Sequence, residues 1–95
     1  MKLIELIQVR SFSETDRQHA IDLFNTLSLT GSHIPARIQI FKNQVLTTDL
    51  QVCLCWEKAG DSPFKSEVGE KLVAAFKAYG WISHSIWEPL KERRK

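Results

Sequence analysis

The chain has 95 residues and a mass of 10.9 kDa, which leaves room for one domain. Apolar residues make up 43% and charged residues 25%, a balance that excludes a disordered chain, a collagen-like repeat and a disulfide scaffold. The net charge of +2 is made at one end: residues 1–88 hold 9 Lys/Arg against 10 Asp/Glu, and residues 89–95 hold 4 against 1. Nucleic-acid binders carry Lys and Arg on a folded face, so a positive tail argues against that partner. We take residues 1–88 as the domain and residues 89–95 as a basic C-terminal tail. No stretch approaches the ~20 apolar residues of a membrane span, and no N-terminal segment has the layout of a signal peptide. The expectation is a cytoplasmic protein with reduced thiols.

Residues 3–12 (LIELIQVRSF) read as a strand with apolar residues on both parities, hence central and covered on both sides. Glu5 interrupts its apolar run. Residues 14–28 read as a helix, with Ser13 as N-cap and an apolar stripe of Ala20, Leu23, Phe24 and Leu27. Gly31 and Pro35 end it. Residues 36–42 (ARIQIFK) alternate as a second strand, and residues 50–58 (LQVCLCWEK) as a third. Ser62 as N-cap and Pro63 at the first helical position open a second helix. Its stripe is Val68, Leu72, Ala75, Phe76 and Tyr79, and Gly80 closes it as a left-handed cap. Residues 81–88 (WISHSIWE) form the last strand.

The order β-α-β-β-α-β predicts an α+β, ferredoxin-like sandwich. With right-handed crossovers, the first and third strands are central, and two helices cover one face of a four-stranded antiparallel sheet. Alternation then puts Arg37, Gln39, Phe41, Gln51, Cys53, Cys55, Glu57, Trp81, Ser83, Ser85 and Trp87 on the uncovered face. Aromatic anchors among small polar residues suit a surface that a partner covers, and a two-fold homodimer is the commonest such partner. Phe41, Cys53, Cys55, Trp81 and Trp87 are the expected interface residues. The competing reading is an open, solvated face with scattered apolar residues.

By element order and by LCWEK (54–58), a third strand ending in Trp and then Glu, residues 3–88 resemble the dimeric α+β barrel superfamily. Within it, they resemble the antibiotic biosynthesis monooxygenase-like domains. The resemblance implies a dimer with two sheets facing each other and, in each subunit, an apolar pocket between sheet and helices with Trp56 in its wall. The haem-degrading branch uses an Asn on the first strand and a His on the second helix. This chain has neither, so no cofactor is expected.

His84 lies on the fourth strand between Ile82 and Ile86. It reads either as a core histidine or, beside Trp56, as a general base in the pocket. Arg10 and Gln39 could hold a carboxylate or carbonyl of a ligand. His33 in its loop and His19 on the first helix read as solvated. Cys53 and Cys55, spaced i, i+2 on a strand, sit at the outer reach of a disulfide. No Cys/His pair has zinc spacing, so no metal is expected. There is no G-x-S-x-G, no phosphate-cradling Gly-rich loop and no G-x-G-x-x-G.

These residues lead to a homodimer that binds a small apolar or aromatic molecule between sheet and helices. If it is an enzyme, it is a cofactor-independent, monooxygenase-like oxidoreductase with His84 as catalytic residue and Trp56, His84, Arg10 and Gln39 at the ligand. The alternative is a non-catalytic interaction or structural module using the same dimer.

Overall fold

The computed structural model describes residues 2–29, 34–57 and 66–93. The elements follow the expected order: β1 (Leu3–Ser11), α1 (Glu14–Thr26), β2 (Arg37–Lys42), β3 (Asp49–Trp56), α2 (Glu67–Phe76) and β4 (Gly80–Trp87). The four strands form one antiparallel sheet in the order β2-β3-β1-β4. This is a ferredoxin-like α+β fold.

Ser13 caps α1 as read, its hydroxyl accepting from the Asp16 backbone N–H at 3.1 Å. Glu14 and Asp16 in the first turn complement the positive end of the helix dipole. The cap of α2 is Ser66, whose hydroxyl accepts from the Gly69 N–H at 2.9 Å. Ser62 and Pro63, read as the start of this helix, lie outside the described residues, as do Gly31 and His33. Asn43 ends β2 by accepting from the N–H groups of Val45 and Leu46, both at 2.8 Å. This is the side-chain turn that short polar residues favour between strands.

Two readings are corrected. Gly80 is no left-handed cap; it is the first residue of β4, and its backbone lacks the positive φ such a cap requires. A Cβ there would lie 2.5 Å from the Arg10 carbonyl oxygen, so the glycine serves a close approach of β4 to β1. The second correction concerns β1, which is central but covered on one face alone. Glu5, Ile7, Val9 and Ser11 are buried under the helices. On the reverse side Ile4 and Leu6 are half-buried, while Gln8 and Arg10 are exposed.

The core lies between sheet and helices. Ile7, Val9, Leu50, Val52 and Leu54 supply the sheet side, and Ala20, Val68, Leu72 and Phe76 the helix side. α1 buries only Ala20, and Leu23, Phe24 and Leu27 pack at the margin. α2 is the better anchored helix, with four buried residues including Gly69.

Candidate functional site

Two polar constellations stand out, one on each side of the sheet. Under the helices, Glu5 points into the core and is 1% exposed. Burying a carboxylate is costly unless donors replace its water. Here they do. Trp56 donates from Nε1 to Oε1 at 3.0 Å, and the Ser66 hydroxyl donates to the same oxygen at 2.6 Å. The Ser66 backbone N–H donates to Oε2 at 3.2 Å, and His84 donates from Nε2 to Oε2 at 2.6 Å.

The geometry follows from register and length. Glu5 faces Leu54 on β3 and Ile86 on β4, so Trp56 and His84 each stand two residues from its direct partners, on the same face. Ser66 reaches the carboxylate because the N-terminus of α2 ends above β1. Gly69 leaves the room: a Cβ there would fall on the carboxylate oxygen itself. The positive end of α2 and its cap thus face a negative charge, the favourable arrangement for a helix dipole. Four donors onto two oxygens match what a carboxylate accepts.

Trp56 and His84 therefore share the helix side of the sheet, as the alternation predicted. The space between them, where the ligand pocket is expected, is filled by the Glu5 carboxylate, a residue that along the chain only interrupts an apolar run. A signal was present. A lone Glu in LIELI shares its parity with Leu3, Ile7 and Val9, which is a core parity. Hydrophobic periodicity cannot say whether such a residue is paired.

The reverse face of the sheet is a grid set by register. Its first cross-strand row is Asn43, Asp49, Arg10 and Trp81, and its second is Phe41, Gln51, Gln8 and Ser83. The third is Gln39, Cys53, Leu6 and Ser85, and the fourth is Arg37, Cys55, Ile4 and Trp87. The first two rows are polar in the middle and floor a cavity of about 570 Å³. The last two rows are apolar in the middle.

The expected ligand residues are divided between the two faces. Arg10 pairs with Asp49 on the reverse face, Nε to Oδ1 at 3.3 Å and Nη2 to Oδ2 at 3.5 Å. Gln39 is exposed on the edge strand of that same face, outside the cavity. Neither approaches Trp56 or His84. The five expected interface residues do share one face. Phe41, Trp81 and Trp87 are 46%, 71% and 58% exposed, a large apolar area to leave in water. Trp87 donates from Nε1 to the Ser85 hydroxyl at 2.8 Å, and Phe12 meets the Trp81 ring edge-on with centroids 5.6 Å apart.

Cys53 and Cys55 are free thiols, half-buried, with sulfurs 3.8 Å apart. Burial, and then the neighbouring Cys55, pushes the Cys53 thiol up to about 11. A thiol held protonated is a poor nucleophile. His19 is exposed and tilts against Tyr79. Among the described residues, no three His, Cys, Asp or Glu side chains gather as a metal site would require. No helix among them is long and apolar enough to cross a membrane. No family model, curated protein or solved structure matches the chain.

Proposed function

We propose that the chain works as a homodimer of the dimeric α+β barrel type, akin to the antibiotic biosynthesis monooxygenase-like domains. Its two open sheet faces would turn toward each other, and the assembly would bind a small apolar or aromatic molecule. The observation that supports the dimer is the apolar half of the reverse face. Ile4, Leu6, Cys53 and Cys55 form its centre, Trp87 stands at one margin, and both helices lie on the other side of the sheet. A two-fold axis through that centre pairs like with like, as an isologous interface requires. The polar rows cannot join the same contact against an apolar partner without stranding Gln8, Arg10 and Gln51.

Sedimentation equilibrium tests this reading. The wild-type chain is expected to be a dimer, and Leu6→Glu, which sets two like charges at the axis, a folded monomer by circular dichroism. A wild-type chain that stays monomeric at the highest soluble concentration overturns the reading. Native mass spectrometry of the same sample reads any retained ligand.

One observation favours a non-catalytic module using the same dimer. His84 spends Nε2 on Glu5, so it already has a structural task as a donor to a buried carboxylate. If His84→Ala folds and keeps any ligand or activity found, the catalytic version of the proposal is lost and the module remains.

A further inference from the structure

The polar half of the reverse face adjoins the apolar half, and its chemistry differs. The cavity there, about 570 Å³, falls within the roughly 300–1,000 Å³ range of small-molecule sites. Trp81 stands at one side of its floor, 71% exposed, with Phe12 bracing the ring by an edge contact. Side chains stand roughly perpendicular to a sheet. A flat ring stacked on the Trp81 indole is therefore set edge-down on the floor. The residue directly across the register from Trp81 is Arg10, and the next row supplies Gln8 and Ser83. What the site reads is thus the polar edge of a planar ring.

The floor specifies that edge. Asp49 takes one N–H from Nε and one from Nη2 of Arg10. The remaining guanidinium donors have no partner among the described residues, so a fork of donors is left for two adjacent acceptors. Gln8 donates from Nε2 to Gln51 Oε1 at 3.3 Å, which leaves the Gln8 carbonyl oxygen as an acceptor beside that fork. The pattern wanted is two adjacent acceptors on one edge of the ring, with a donor on the edge that adjoins it. Asp49 already neutralises Arg10, which favours a neutral ring over an acid.

We infer that this cavity binds a 6-oxopurine, the guanine or hypoxanthine type of ring. N7 and O6 would accept from the Arg10 fork, N1–H would donate to Gln8, and the ring would stack on Trp81. Arginine paired to N7 and O6 is the geometry by which proteins single out guanine. Adenine places a donor where O6 stands and meets the guanidinium donor to donor. A free nucleoside is favoured over a nucleic-acid strand, because residues 1–88 carry 9 Lys/Arg against 10 Asp/Glu, a net charge that does not attract a phosphate backbone. The site needs no second copy, so it does not rest on the homodimer.

The test is calorimetric titration of the full chain with guanosine, with adenosine, and with a short single-stranded guanine-containing oligonucleotide. Guanosine should bind saturably and adenosine at least about fivefold more weakly, the lower end for one bidentate contact. Arg10→Gln should cost guanosine a similar factor, and Trp81→Ala should weaken both nucleosides. Both positions are exposed, and circular dichroism confirms that the variants fold. Equal binding of the two nucleosides, an unchanged Arg10→Gln, or no saturable binding of guanosine overturns the inference. Tighter, steeply salt-dependent binding of the oligonucleotide overturns the assignment to a free nucleoside. Sedimentation of the same samples separates the two proposals: a dimer without guanosine binding sinks this one alone, and a guanosine-binding monomer sinks the homodimer alone.

Discussion

Glu5 is the residue on which the interior turns. Its carboxylate joins β1 to β3 through Trp56, to β4 through His84 and to α2 through Ser66. Glu5→Gln keeps the shape but replaces one acceptor by an NH₂ that faces donors. Leaving buried donors unpaired costs about 1–3 kcal/mol, more where a charged group is involved. Urea unfolding should show a loss of at least that size with an unchanged m-value. A loss within error would mean the network contributes nothing to folding. Cys53 offers a second check at this scale. Its thiol rises from 9.0 to about 11 on folding, so the folded chain holds that proton more tightly than the unfolded chain. The stability tied to this proton is full below pH 9 and is lost as pH climbs through about 11. Alkylation of the folded protein with iodoacetamide should accordingly be slow at Cys53 at pH 8 and accelerate with pH. Peptide mass mapping reads the site.

The elements differ in how much they depend on tertiary contacts. α1 carries its own N-cap and buries one residue. α2 buries four and shares its cap with the core, since the Ser66 hydroxyl both accepts from Gly69 and donates to Glu5. Ser66→Ala removes both bonds, whereas Ser13→Ala removes a cap alone. A cap contributes about 1 kcal/mol; the Ser66 variant should lose visibly more than the Ser13 variant in paired denaturation curves. Equal losses would show that the bond from Ser66 to Glu5 is dispensable. The alternation in RIQIF and LQVCLCW was enough to assign each side chain on β2 and β3 to its face, because the period of a strand is two. Gly80 shows the limit of such local rules. A glycine after a helix fits a left-handed cap, but here the backbone of β1 passes too close for any side chain.

For the whole molecule, the open face decides behaviour. A chain this small buries only about 60–70% of its unfolded surface, and here one face of the sheet remains outside that total. If the apolar rows pair two copies, the dimer gains stability by mass action. The melting temperature should then rise with protein concentration, and the rise should vanish in Leu6→Glu. A melting temperature independent of concentration in the wild-type chain speaks against pairing.

Sequence alone determined the six elements, their order, the central place of β1 and β3, and which strand residues share a face. These depend on local propensity and on periods of two and 3.6, which can be read along the chain. Tertiary structure decided what the polar residues do. Glu5, Trp56, Ser66 and His84 are far apart in the chain and meet only because antiparallel register and the landing point of α2 superimpose them. The same register separated Arg10 from His84 by the thickness of the sheet and laid Arg10 between Asp49 and Trp81. The net charge of +2, a property of composition, says nothing of either constellation, because both depend on which residues strand register and helix packing bring together.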